Sequence, residues 1–212
     1  MRSMLRGAMM ALLLLSLCMA TTGCWNRIEL NELAITSATG VDWDGQNWIV
    51  SYQVLIPAAI SAGIGTSGGG TPQSPVIVYS TKGKSIREAM MHSYSESPRK
   101  LFYAHNRVVI LSEEVARRGF NELLDVYFRN SGPRETVSML VTPGKARRVL
   151  EQFMQLVIIP GEGMKDIIRS EARNSSVLPN IPVYQMAMNL MGDAKSSVLP
   201  EIYISGKEDT ST

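Results

Sequence analysis

The side chains that most often carry chemistry are scarce in this 212-residue chain: two cysteines, Cys18 and Cys24, and two histidines, His92 and His105. At those spacings they make no CxxC pair, no Cys/His zinc cluster and no disulfide framework. A serine nucleophile would need a G-x-S-x-G elbow together with a base and an orienting acid. Neither histidine has such company. His105 stands at the mouth of an apolar strand with Arg107 two residues on, and His92 lies on a helical segment beside Met91, so both read as structural or surface residues. Gly63-Ile64-Gly65-Thr66-Ser67-Gly68 matches G-x-G-x-x-G in letters, and its chemistry would be pyrophosphate binding. That fingerprint needs a strand before it and a helix N-terminus after it, whereas Pro57 precedes it and Gly70, Pro72 and Pro75 follow. Asp42-x-Asp44-Gly45 begins like a calcium loop, but its glycine comes two positions early and Gln53 stands where the bidentate Glu belongs. A hairpin turn accounts for it better. Arg99, Arg129 and Arg134 each stand where a strand or helix ends. They read as solvated caps or exposed ion pairs worth under about 1 kcal/mol, the alternative being bidentate pairing that fixes the fold or a partner surface. Asn174-Ser175-Ser176 is a glycosylation sequon in letters only. No catalytic, cofactor or metal residue is expected.

The chemistry that the sequence does support is at Cys24. Met1 to Gly7 carries Arg2 and Arg6 and no acid, and Ala8 to Ala20 is an apolar run broken only by Ser16. Thirteen helical residues reach about 20 Å, short of a hydrocarbon core of roughly 30 Å. Residues 1–23 therefore read as an export signal rather than a membrane span. Thr21-Thr22-Gly23-Cys24 resembles the lipobox of bacterial lipoproteins, in which the Cys thiol is joined to diacylglycerol and becomes the new N-terminus. Cys18 fits worse, because Leu17 before it is too bulky for a signal peptidase. Two or three acyl chains at ~0.8 kcal/mol per buried CH₂ make such an anchor effectively permanent, and a lipidated Cys24 leaves the processed chain no free thiol. The whole chain has 21 basic and 19 acidic residues. Removal of the leader takes Arg2 and Arg6 with it and leaves residues 24–212 formally neutral, which gives no electrostatic footprint for nucleic acid or an anionic membrane surface.

Composition bounds the fold. The chain is 45% hydrophobic and 19% charged with a mean hydropathy of +0.02, which excludes a disordered chain, a collagen-like repeat and a multi-span membrane protein. Leu33 to Asp42 and Asn47 to Ile56 read as a hairpin around Trp43-Asp44-Gly45-Gln46, with Trp48, Val50, Tyr52 and Val54 alternating against Ile49, Ser51, Gln53 and Leu55. Residues 57–75 hold five glycines, three prolines and no charge, and read as a flexible surface loop. Val76 to Thr81 is a third strand, and Ser85-Ile86-Arg87-Glu88 is a capping box opening a helix with the apolar face Ile86, Ala89, Met90 and Tyr94. Arg107 to Leu111 is a strand followed by a helix capped at Ser112. Gly119 then restarts a helix whose stripe is Phe120, Leu123, Leu124, Tyr127 and Phe128. Thr136 to Val141 is a strand, and Thr142-Pro143 would cap a helix with the stripe Ala146, Val149, Leu150, Phe153 and Val157. Met164 to Arg173 and the Met-rich Pro182 to Met191 read as helices, Leu199 to Ile204 as a last strand, and Gly206 to Thr212 as a polar end. Mixing of this kind predicts an α+β (mixed α/β) domain.

Cys24-Trp25-Asn26-Arg27-Ile28-Glu29-Leu30-Asn31-Glu32-Leu33-Ala34-Ile35 is similar to the start of mature Ger(x)C lipoproteins, the C subunits of spore germinant receptors. The likeness continues through Gly40-Val41-Asp42, Pro98-Arg99-Lys100-Leu101-Phe102-Tyr103-Ala104-His105, Ser112 to Gly119, Phe128-Arg129 and Pro133-Arg134-Glu135. It implies a non-catalytic, lipid-anchored subunit held through diacylglyceryl-Cys24 on the outer face of the spore inner membrane. Its partners would be an A subunit with membrane spans and a B subunit resembling an amino-acid transporter. Family members are longer, with further α/β domains, so residues 24–212 correspond to their N-terminal part and the expectation is a truncated form. The competing expectation is an envelope lipoprotein that binds a solute or acts as a hydrolase.

Overall fold

The structure is a computed structural model describing residues 1–20, 29, 32–63, 74–130, 132–154, 157–174 and 177–205. It divides into two units, Met1–Glu32 and Leu33–Thr212. In the first, residues 2–20 form one helix, α1 (Arg2–Ala20), with exposed leucines at positions 12 to 15. Among the described residues, no helix is long and apolar enough to cross a membrane.

The second unit is an α+β domain around a mixed six-stranded sheet. β1 (Leu33–Trp43), β2 (Trp48–Leu55) and β3 (Val76–Gly83) run antiparallel. On its other edge β1 pairs in parallel with β4 (Lys100–Phe102) and β5 (Val108–Ser112), and β5 pairs in parallel with β6 (Ser138–Thr142). The expected hairpin forms with Trp43 opposite Trp48. Its turn is built as anticipated: the Asp44 carboxylate accepts from the Gln46 and Asn47 amides at 3.0 and 2.7 Å, and Gly45 takes φ +93°. A 3-10 turn, Tyr103–His105, separates β4 from β5 and lets one stretch of chain pair with β1 in two steps.

Alternation along the strands fills both faces. Val109, Leu111 and Met139 join Val50, Tyr52, Ile86, Leu123, Val126 and Met186 on one side, while Val108, Ile110 and Leu140 join Ala146, Leu150, Met164 and Ile168 on the other. The first layer contains α3 (Ile86–Glu96), α4 (Glu113–Arg118), α5 (Asn121–Arg129) and α8 (Val183–Met191); the second contains α6 (Ala146–Leu150) and α7 (Pro160–Asn174). Both hydroxyl caps form: Ser85 accepts from the Glu88 amide at 3.0 Å and Ser112 from the Val115 amide at 3.4 Å.

Several expectations are corrected. Pro57–Gly63, placed in the flexible loop, is a short helix, α2, that Pro57 opens with its fixed φ; residues 64–73 lie outside the described residues. Tyr94 and Phe128 are 60% and 49% exposed, because Ser93 and Val126 turn the buried stripes of α3 and α5 away from them. Thr142-Pro143 does not cap α6, which starts at Ala146 and is capped from β1, as described below. That helix closes at Leu150, leaving Phe153 67% exposed. Leu199–Ile204 forms no strand. Its backbone bonds only around Val141, whose amide donates to Pro200 O and whose carbonyl accepts from the Ile202 amide, and Pro200 has no N–H to extend the ladder.

Candidate functional site

The residues singled out in the sequence do not converge. His105, Arg99 and Arg134 are exposed and separate. His92 is also exposed and bonds the Lys82 carbonyl through Nδ1 at 2.6 Å. Arg129 pairs with Asp125 one turn earlier on α5, an exposed ion pair. Cys24 and residues 64–68 of the glycine motif lie outside the described residues, and Gly63 ends α2. Asp42 and Asp44 do not share a ligand. Asp44 serves the hairpin turn and also pairs with Lys82 at 3.4 Å. Asp42 is 1% exposed, and its carboxylate accepts from the Ala146 and Arg147 amides at 2.8 and 3.1 Å. It caps the first amides of α6, whose own N-cap residue Lys145 makes no side-chain cap bond, from a strand about a hundred residues upstream.

These roles shift the two carboxyls in opposite directions. Burial pushes Asp42 above its ordinary 3.8, against the pull of the two amides and Lys145. The Gln46 and Asn47 amides, followed by Lys82, hold Asp44 down at about 2.

A second buried polar side chain fastens the other helix of this layer. Gln53 is fully buried; its Nε2 donates to Leu150 O at 2.7 Å, and its Oε1 accepts from Ser37 Oγ at 2.8 Å and the Gly161 amide at 3.1 Å. One side chain thus joins the end of α6 and the start of α7 to β1. Gly161 is required by the close approach, since a Cβ there would lie 2.6 Å from the Ser37 carbonyl oxygen.

The arrangement nearest to catalytic geometry was not evident in the sequence. β5 and β6 start side by side, with the Ser138 amide donating to Arg107 O at 3.1 Å. Lys165, half-buried on α7, donates from Nζ to Ser138 Oγ, which donates in turn to Asn180 Oδ1 at 2.5 Å. Burial, then Arg169 and Arg107, hold the Lys165 ammonium below its ordinary pKa. An amine on a serine is the pairing that Ser–Lys hydrolases use, but this one is wired otherwise. The Ser138 O–H is committed to Asn180, its amide to Arg107, and its side chain is wholly buried, so no carbonyl carbon can reach Oγ. Ser138 is a bridge between lysine and asparagine. The signal for this corner was the i, i+4, i+8 stripe Lys165, Arg169, Arg173.

Deeper in the first layer, Asn106 Nδ2 donates to Thr39 Oγ1 at 3.0 Å and to Tyr127 OH at 3.3 Å, and burial pushes the Tyr127 hydroxyl up to about 12. Tyr52 packs against Tyr79 and Tyr103, with ring centroids 5.3 and 6.1 Å apart. On the outside, Leu124, Phe128, Ala187, Leu190 and Met191 line a groove of about 460 Å³ between α5 and α8, rimmed by Asn121 and the Asp125–Arg129 pair. It can bury apolar surface, and its lining brings no set of polar groups together for chemistry.

Comparison with known proteins decides the family. The model of the spore germination protein N-terminal domain matches residues 26–204. The chain belongs to this family. The Ger(x)C assignment read from the Cys24–Ile35 block is thereby borne out, for the N-terminal part of those proteins. Spore germination protein KC of Bacillus subtilis (strain 168) is 29% identical over 220 residues, covering 93% of this chain and 53% of that protein. Putative spore germination protein YfkR of the same organism is 31% identical over 153 residues, 72% of this chain and 40% of that protein. Spore germination protein A3, also of that organism, is 25% identical over 195 residues, 89% and 48% respectively. The chain spans about half the length of the curated relatives it matches. No solved structure matches it. In this spore germination domain the quoted blocks mostly build the fold: Leu101 and Tyr103 are core residues of β4 and its turn, and Ser112 to Gly119 is α4 with its two caps. Pro133-Arg134-Glu135 leads into β6 on the surface.

Proposed function

We propose that this chain is the N-terminal part of a germinant receptor C subunit that takes part in spore germination without catalysing a reaction. Residues 1–23 direct export, Cys24 carries diacylglycerol, and the domain stands on the outer face of the spore inner membrane beside the A and B subunits. The observation that carries this reading is the family match over residues 26–204, joined to the Gly23-Cys24-Trp25 sequence that starts the likeness. The committed hydrogen bonds of Ser138 fit a subunit that works by contact.

Two measurements test it. Mass spectrometry of the chain from spore membranes should find Cys24 as an acylated N-terminus, and Cys24→Ala should move the protein out of the membrane fraction; an unmodified Cys24 rejects the anchor. Detergent extracts should yield the chain together with A or B subunits. Its recovery alone from intact receptors rejects the assembly.

A further inference from the structure

Although the chain beyond the leader is neutral, its cations are not evenly neutralised. At the starts of β5 and β6, three of them gather. Lys165 and Arg169 are one turn apart on α7, and Arg107 immediately precedes β5. Burial first, and then the two guanidinium charges, lower the proton affinity of Lys165. Among the described residues, the one carboxylate that forms an ion pair here is Glu162, which holds Arg107 through Nε at 3.3 Å and Nη2 at 3.1 Å. Lys165 and Arg169 form no ion pair with any described residue. Of the three ammonium hydrogens of Lys165, Ser138 Oγ accepts one, and Ser138 is itself fixed by Asn180. Two donors therefore remain on a half-buried, held amine, beside the five of an exposed Arg169 and the unused face of Arg107.

We propose that Lys165, Arg169 and Arg107 bind a phosphate group. Gathering three like charges around a desolvated amine is unfavourable in the empty protein, and an anion reverses the sign of each interaction. A tetrahedral phosphate presents several oxygens at once, so the ammonium serves as a point charge while the guanidinium forks take two oxygens each. A single carboxylate oxygen pair would leave part of this donor set unused. The Lys165–Ser138–Asn180 chain acquires a purpose on this reading: it aims the amine. Glu162 competes for Arg107 and tempers the affinity. The phosphate can belong to a soluble anion or to a phospholipid headgroup, and the chemistry at the protein is the same.

Hydrogen exchange measured by mass spectrometry on the full chain tests the site. In neutral detergent, inorganic phosphate should slow exchange in residues 160–174 and at the start of β6, relative to chloride at equal ionic strength. Nanodiscs containing phosphatidylglycerol should do the same relative to phosphatidylcholine alone. Protection by phosphate assigns a soluble anion, and protection by phosphatidylglycerol alone assigns a headgroup. Lys165→Gln and Arg169→Gln should each weaken the effect about tenfold, whereas Glu162→Gln, which frees Arg107, should strengthen it. Melting curves establish that each variant is folded. Protection by neither probe, or protection that persists in a folded Lys165→Gln, Arg169→Gln double variant, overturns the site.

Discussion

At the carboxyl ends of β1, β5 and β6, charge is consumed by the fold. Asp42 caps α6, Lys145 reaches Trp43 O at 2.8 Å and Glu114 at 3.6 Å, Arg147 pairs with Glu151, and the Arg118 guanidinium lies 3.9 Å from the Trp43 ring centre. At the amino ends of β5 and β6, Lys165 and Arg169 gather with Arg107, and among the described residues only Arg107 of the three forms an ion pair. The first group spends its polar atoms on holding helices to the sheet, and the cationic group keeps donors open. Loss of a side chain that fastens a helix should therefore destabilise the domain, and loss of one of the cations should leave it intact or improved.

The largest effect is expected at Gln53, which is level with the first residues of β5 and β6 but, unlike the cations there, is spent on the fold. Gln53→Ala strands the Leu150 carbonyl and the Gly161 amide in a dry interior, while Ser37 keeps the backbone carbonyl of residue 53 as acceptor, at about 3 kcal/mol, measured as a fall in the urea midpoint at unchanged slope. A loss under ~1 kcal/mol would mean that water replaces the amide. Asp42→Ala follows at about 2 kcal/mol, since two helix N–H groups lose their acceptor. Desolvation of the carboxylate already offsets part of what the cap contributes, so Asp42→Asn should cost less than the alanine variant. Equal losses in the two variants would remove Asp42 from its capping role.

Neither of these residues was legible for its role, although much around them was. The hairpin, both hydroxyl caps, the apolar strands and most helices follow from signals within a few residues: Asp44-Gly45 in the turn, Ser85 three positions before Glu88, and alternation in β2. Asp42 and Gln53 act on residues about a hundred positions away, where local periodicity carries no information. The same locality explains the errors. Thr142-Pro143 has the letters of a cap, but the α6 amides are met by a better-placed carboxylate. Leu199–Ile204 has β propensity, but β6 lends it only Val141. The cationic corner was half visible, as a stripe on one helix; that Arg107 joins it depends on sheet order.

Lys165 should respond with the opposite sign. Lys165→Met removes a partly desolvated charge repelled by two arginines and leaves Ser138 with Asn180, so stability should stay level or rise by under ~1 kcal/mol. A loss comparable to Asp42→Ala would show that the amine is structural, and the contrast between the two ends would fall.

The smallest effect resolves the comparison within the first region, between two aspartates two residues apart. Asp44 has a folded pKa of about 2 against an ordinary 3.8, so the unfolded chain binds its proton more readily. Its stabilisation is present above 3.8 and is lost as pH falls toward 2. Asp42 is raised above 3.8; here the folded chain binds the proton more readily, and stability falls as pH rises from 3.8 through the raised value. Carboxyl carbon shifts followed by NMR should give Asp44 a midpoint near 2 and Asp42 one above 3.8. Asp44→Asn should remove only the acid-side loss, with little change at neutral pH because the amide oxygen can still accept in the turn. Coincident midpoints for the two carboxyls would mean that Asp42 is reached by water, and that the cap on α6 is as open as the hairpin turn.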